Sequence, residues 1–463
     1  MSFQWTDRNV RTALGLAPSD VEPDLVFAGV CTDSRMVKPG DLFVALEGET
    51  FDGHDFVQSS FAAGAAGAVV AGEVSIDEER PLYRVLDTTV ALGDLAHHRR
   101  NTLDARVVGI TGSSGKTGTK DLLAATLRGR LRVHATKGNF NNRIGLPLTL
   151  LDAPDDAQAL VLEMGTNEPG EIGALTSVAA PGVGVITTVG ETHLEKLGSV
   201  EGVLDEKLDL FRGLPSDGVA VVGDEPAILE QAARGVASTL LVTGWSDRAG
   251  PENRPEAPDV MDNGCYRFRW RGEPVALAVP GRHSVQNALI ALAVADIVGV
   301  PPAEAVERIG QVRPGGMRSE VRKLGGLTLL VDCYNANPQS LAAALDLVTS
   351  IAGPGSRIAV LGSMLELGGD SAAIHERALR NALTFSVDVV VATGLFAEAA
   401  EALGPMPETG PEVVVASDLA EAGAALLGRL EGTETILLKA SRGVAMEVLI
   451  PELEKRFGEG KAA

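Results

Sequence analysis

Residues 106–120 read RVVGITGSSGKTGTK, and the parsing of this stretch decides the fold. The apolar run over 107–110 has the composition of a short buried strand, which breaks into glycine and serine before Lys116 and Thr117. Gly112, Gly115 and Gly118 let the backbone turn tightly, so successive N–H groups face one anion at the start of a helix expected over 119–130. In such a loop Gly112, Ser113, Ser114 and Gly115 cradle phosphate, Lys116 neutralises the outer phosphates, and the Thr117 hydroxyl ligates Mg²⁺. The strict pattern wants glycine where Ile110 stands, so the loop is a variant. A ligand-free strand-to-helix turn shares its composition, but strand, Gly-Lys-Thr and helix in register favour a nucleotide, read as ATP.

The chain has 463 residues, 45% of them apolar, enough for about three domains with separate cores. Its 40 Lys and Arg against 62 Asp and Glu give a net charge of −22, which opposes nucleic acid or an anionic membrane surface as the main partner. An anionic substrate must then meet locally placed cations. Cys31, Cys265 and Cys333 are far apart, odd in number and without metal-ligand spacing, as in a reducing compartment. No secretion signal is read at the N-terminus, and the apolar run over 288–295 stops at Asp296, well short of a membrane span. A cytoplasmic monomer without membrane insertion is expected.

Three α/β units are expected, over 1–95, 96–312 and 313–463. In the first, helices over 5–14 and 61–66 alternate with strands over 41–46, 68–71 and 83–85. Its polar turns at 32–35, 38–41 and 52–55 suit ligand contact, although surface turns look the same. The second alternates strands over 107–111, 160–164, 183–189, 219–222 and 240–243 with helices, the mark of a mostly parallel sheet whose sites gather at the carboxyl ends of its strands.

Several polar groups fall at those ends. Residues 137–143, KGNFNNR, offer amides and two cations suited to a sugar or pyrophosphate, or form a plain Asn-rich turn. Glu163 shares the rim of Thr117 and can complete an Mg²⁺ shell, or stay solvated. His193 follows the strand over 183–189, where a lone histidine serves structure more often than metal. Lys207 reads as one charge on an exposed helical face. His283 and Asn287, four apart at the start of an apolar helix over 288–298, share one face, and Asn287 either reads an adenine edge or caps the helix.

Residues 312–318, VRPGGMR, are a Pro/Gly linker, after which strands over 327–331, 358–361, 389–392, 413–416 and 436–438 form a third doubly wound unit. The polar stretches 332–338, 362–368 and 439–443 end three of them and together form one rim. Only 458–463 reads as a frayed tail.

With these segments assembled, the chain resembles the Mur ligase family of ATP-dependent amide-bond formers. The carriers are KPGDLFVALEGETFDGHDF (38–56), GITGSSGKTGTKD (109–121), GNFNNRIGLPLTLL (138–151), EMGTNEPGEI (163–172), THLEKLGS (192–199), PGRHSVQNAL (280–289), DCYNANPQS (332–340), LGSMLELG (361–368) and KASR (439–442). YNANP with GNFNN and MLELG is the specific part, and it implies the branch that adds D-alanyl-D-alanine to UDP-N-acetylmuramoyl-tripeptide through an acyl phosphate. The resemblance implies a small N-terminal domain for the UDP-linked substrate, a central P-loop ATPase domain, and a C-terminal Rossmann-like domain that closes over ATP and takes the dipeptide. It implies two Mg²⁺ ions, one on Thr117 and Glu163, the other on His193 and a carbamylated Lys207. It further implies that Lys116 acts with these groups, and that His283 and Asn287 hold adenine. Arg318, Asp332, Asn335 and Asn337 are implied to reach the ribose and phosphates, and Ser34, Arg35, Asn139, Asn141 and Asn142 to face the UDP-sugar. Ser363 departs from the family, which usually has an acidic residue there.

Two rivals remain open at this stage. A sibling ligase acting on another acid is opposed by YNANP with GNFNN. A P-loop switch ATPase would want an aspartate-ended strand where this chain has Glu163.

Overall fold

The computed structural model describes residues 3–19, 24–48, 50–77, 80–404 and 410–458; Glu49 of the motif over 38–56 and residues 459–463 of the expected tail lie outside them. Arg106–Thr111 sits inside a six-stranded sheet. The spatial order is Thr239–Thr243, Val219–Gly223, Val183–Ile186, Arg106–Thr111, Ala159–Glu163 and Val133–Ala135, every neighbouring pair being parallel. Consecutive strand residues are buried because helices cover both faces. Gly145–Leu151, Glu171–Ala179 and Val200–Arg212 pack on one side, Lys116–Arg128, Arg282–Ile297 and Pro302–Ile309 on the other. The chain leaves the sheet on one flank of Arg106–Thr111 and re-enters on the other. That reversal opens a crevice directly over the phosphate loop.

The apolar run over 288–295 belongs to Arg282–Ile297, whose residues 287–295 are all buried against the sheet and Lys116–Arg128. It is a core helix. Among the described residues no helix is long and apolar enough to cross a membrane.

The N-terminal unit carries a parallel sheet ordered Val30–Cys31, Leu42–Val44, Gly67–Val70 and Leu82–Arg84, with a ribbon of Trp5–Thr6 against Val26–Phe27. Its helix Thr88–Asn101, capped by the Asp87 carboxylate, packs on Gly145–Leu151 and Glu171–Ala179 of the central unit. The C-terminal sheet is ordered Glu320–Leu324, Leu327–Asp332, Thr435–Lys439, Arg357–Leu361, Val389–Thr393 and Glu412–Ala416. Only its first pair is antiparallel. Asp332, Lys439 and Leu361 are register partners across three adjacent strands, so the polar stretches that follow them share one rim.

Several boundaries differ from the sequence reading. Trp5 and Thr6 are extended, and the helix starts at Asp7 because Thr6 caps it, its hydroxyl accepting from the Asn9 N–H. The helix expected over 119–130 begins at Lys116, since left-handed Gly115 lets the loop enter it at once. The helix expected over 61–66 is Val57–Ala62, entered through a single turn capped by Asp52. The strand expected over 183–189 stops at Ile186, where the backbone turns to bond the phosphate loop. An antiparallel sheet of Glu256–Val260, Tyr266–Trp270 and Glu273–Ala276 was not read at all. Its signal is the alternation YRFRW, with Phe268 and Trp270 buried and Arg267 and Arg269 outside.

Candidate active site

The phosphate loop is held from its flank. Ser113 N–H donates to Thr188 O at 2.9 Å, Ser114 N–H to Thr188 Oγ1 at 3.1 Å, and Gly190 N–H to Ser113 Oγ at 3.0 Å. Gly112 has φ 146°, and a Cβ there would lie 1.9 Å from Thr187 Oγ1, so only glycine fits. Lys116 Nζ donates to Gly112 O at 2.6 Å. Burial lowers the pKa of Lys116, the Glu163 carboxylate opposes that shift, and the Arg318 cation adds to it. Asn287 lies against the loop: a Cβ on Gly115 would sit 2.6 Å from its Oδ1, and one on Gly118 3.0 Å from its Nδ2. Both glycines thus admit the Arg282–Ile297 helix to the back of the phosphate site.

Glu163, the last residue of its strand, accepts from Asn141 Nδ2 at 2.8 Å through one oxygen, while the other is buried without a partner. Glu163 lines a cavity of about 730 Å³ together with Thr117 and His193. A free carboxylate oxygen is the donor a hydrated Mg²⁺ takes beside phosphate oxygens. Among the described residues no cluster of three or more His, Cys, Asp or Glu side chains could cage a metal.

Lys207 corrects the sequence reading. Its side chain is 1% exposed, not solvated. The signal was present in Val200, Val203, Leu204, Lys207, Leu208 and Phe211, an apolar stripe at helical spacing with the lysine inside it. Burial, helped by the nearby Lys116 charge and opposed by Glu206, pushes its pKa down to about 7.

The third unit closes the cavity from above. Asn337 Nδ2 donates to Ser114 Oγ at 3.1 Å while its Oδ1 caps the helix Pro338–Ser350, and Gln339 Nε2 donates to Val189 O at 2.8 Å. Asp332 pairs with Lys439 at 2.8 Å and accepts Ser319 N–H at 3.0 Å; Lys439 Nζ also holds Asn335 O at 2.6 Å. Met317 and Ser319, both with positive φ, flank Arg318, whose guanidinium stacks 3.7 Å above the Tyr334 ring. His283 is enclosed, which lowers its pKa; its Nε2 lies 3.3 Å from Ser319 Oγ and its Nδ1 has no partner.

Three stretches match Mur ligase domains: 26–100 the family's catalytic domain, 110–295 its middle domain, and 317–442 its glutamate ligase domain. The chain is 38% identical to the UDP-N-acetylmuramoyl-tripeptide–D-alanyl-D-alanine ligase of Bacillus subtilis, covering 92% of this chain and 93% of that protein. The corresponding Escherichia coli ligase is 33% identical over 93% and 95% of the two chains. The chain belongs to the Mur ligase family. Among solved structures, a MurF from Acinetobacter baumannii superposes with a TM-score of 0.86 at 30% identity over 98% of this chain and 99% of the other. A Thermotoga maritima MurF ligase in complex with ADP gives 0.82 at 28% identity over 92% and 98%. This Mur ligase is accordingly an ATP-dependent enzyme of the amide-forming class.

Of the residues singled out from this Mur ligase's sequence, Ser113 to Thr117, Asn141, Asn142, Glu163, His193, His283, Asn287, Arg318, Asp332, Asn335 and Asn337 line the one cavity. Lys207 does not line it but is buried close enough for the Lys116 charge to lower its pKa. Ser34, Arg35 and Asn139 line neither this cavity nor a second cleft of about 660 Å³ between the N-terminal and central units, and Arg35 is turned onto Asp33 at 2.7 Å. The loop over 137–143 joins the two spaces: Lys137 and Phe140 face the second cleft, Asn141 and Asn142 the first. Gln339 and Ser319 also line the cavity and were missed, while Tyr334 lies in the stretch 332–338 expected at this rim. Ser363 does not face it; its hydroxyl accepts Leu395 N–H at 3.0 Å, at the start of Leu395–Leu403.

Proposed function

We infer that this Mur ligase joins D-alanyl-D-alanine to UDP-N-acetylmuramoyl-tripeptide, giving the pentapeptide, ADP and phosphate in peptidoglycan precursor synthesis. Relatives of that name match nearly the whole chain. The observation that carries the chemistry is the cavity over the phosphate loop roofed by the third unit, with Asn337 on Ser114.

In this reading 1–95 takes the UDP-linked substrate, 96–312 takes ATP, and 313–463 closes over the nucleotide and takes the dipeptide. The substrate carboxylate attacks the γ-phosphate of ATP, and the dipeptide amine then displaces phosphate from the acyl phosphate. Two anions meet in the first step, so charge neutralisation is the main demand. Lys116 and Arg318 face the cavity from two domains and supply cations. Mg²⁺, held by Thr117 and Glu163, and a second ion on His193 and Lys207, would add Lewis-acid neutralisation. The unpartnered Glu163 oxygen supports the first site. For the second, a lysine whose pKa is pushed down to about 7 by burial has a substantial neutral fraction near neutral pH, so its nitrogen can add to CO₂, lose a proton and become a carbamate. Asn287 and His283 line the same cavity and in this reading hold adenine, the unpartnered His283 Nδ1 offering it a polar contact. The second cleft, lined by Lys38, Lys137 and Arg99 together with Asp41, Asp152 and Asp155, takes the UDP-sugar in this reading, with Ser34, Arg35 and Asn139 reaching it from outside that lining. A cytoplasmic monomer completes the proposal.

The test is phosphate release from ATP and Mg²⁺ with the UDP-linked tripeptide, with and without D-alanyl-D-alanine, followed by product mass. Dipeptide-dependent release with a pentapeptide product is expected; release indifferent to both substrates overturns the reading.

A further inference from the structure

His193 of the central domain and Glu366 of the third domain meet across the cavity rim, Nδ1 to Oε2, at 2.7 Å. Both are non-glycine residues in the left-handed region, φ 53° and 65°, a conformation side chains seldom adopt and keep only where surroundings impose it. Two such residues facing each other mark a contact that the fold goes out of its way to make. The surroundings are built for it. Glu195 N–H donates to Glu366 O at 3.4 Å, and at Gly368, also left-handed, an added Cβ would stand 3.0 Å from the Glu195 Cα. Arg377, on the helix that follows, pairs with Glu191 at 2.5 Å. His375, fully buried, accepts Met364 N–H at 2.9 Å and so fixes the loop that carries Glu366.

We propose that Glu366 is a positioning residue for His193: when the third domain closes, its carboxylate takes the Nδ1–H and thereby turns Nε2 toward the cavity as a metal ligand. A carboxylate behind a ligating histidine fixes its tautomer and ring orientation and raises its basicity. The domain that brings the dipeptide therefore also completes the histidine. This rests on the reading of His193 as a ligand given above. Glu366 is more than half exposed at its side chain, so its replacement leaves the core intact.

The experiment compares Glu366→Ala and Glu366→Gln by kcat, by KM for each substrate, and by Mn²⁺ affinity in the presence of ADP, read by electron paramagnetic resonance. For Glu366→Ala, kcat and Mn²⁺ affinity each fall roughly 10- to 100-fold, while Glu366→Gln, whose amide oxygen still accepts the Nδ1–H, stays within about threefold of wild type. Unchanged Mn²⁺ affinity in Glu366→Ala overturns the proposal whatever happens to kcat. A rise only in the dipeptide KM overturns it in favour of direct substrate contact. The Mn²⁺ measurement needs no turnover, so it stands apart from the dipeptide-dependent phosphate release that tests the ligase reading.

Discussion

Asn337 Nδ2 reaches from the third domain to Ser114 Oγ in the phosphate loop, 3.1 Å away, while the same side chain caps its own helix through Oδ1. One amide therefore serves two structures, and two substitutions separate them. Asn337→Asp keeps the cap and loses the donor, so kcat/KM for ATP falls about tenfold with little change in melting temperature. Asn337→Ala loses both and also costs about 1 kcal/mol of stability. Steady-state kinetics and thermal melts check the split.

Lys116→Ala should remove at least about 100-fold of ligation, because the proposed reaction relies on its charge to neutralise the transferred phosphate. The fold should persist, since Lys116 is itself a half-buried cation close to Arg318 and Lys207. Phosphate release and circular dichroism measure the two effects. Full turnover by the variant refutes the assignment of the loop.

Lys207 predicts a pH signature. Its folded pKa of about 7 lies below the unfolded 10.5. Below about pH 7 both states are protonated and the full penalty of a buried ammonium is present; between there and 10.5 the folded state releases its proton first, so stability rises with pH. In bicarbonate-free buffer Lys207→Met should therefore be more stable than wild type below pH 7, by on the order of a few kcal/mol, with the gain shrinking as pH rises. A pH-independent difference in melting temperature contradicts this. Carbon-13 bicarbonate should label the wild-type lysine and restore activity to degassed enzyme.

Ser363 accepts a helix-terminal N–H and leaves the cavity to others. Ser363→Ala should cost about 1 kcal/mol, and Ser363→Asp should retain or increase stability, an acid being favourable at a helix N-terminus. The dipeptide KM should stay within about twofold in both, which kinetics can check.

Much of the fold was legible because strands buried on both faces announce themselves as unbroken apolar runs, as at Val107 to Ile110 and Leu160 to Leu162. The phosphate loop was legible because glycine, lysine and threonine do their chemistry locally. Lys207 was obscured by its charged neighbours Asp205, Glu206 and Asp209, although the stripe around it has helical spacing. The Glu256–Val260 strand is exposed throughout and carries no apolar pattern, so it hid the sheet it begins. Gln339 and Ser319 act between domains, and no local pattern reports a partner 150 or 36 residues away.

The turn around Arg318 has a further consequence. Because Ser319 is bonded to Asp332, and Arg318 lies on Tyr334, the guanidinium moves with its domain as one body. Arg318 and Lys116 are like charges on opposite jaws, each disfavouring the other's approach. A polyphosphate between them would attract both and offset that repulsion. ATP bound as proposed would thereby add to the Asn337–Ser114 and Gln339–Val189 contacts that already join the two domains.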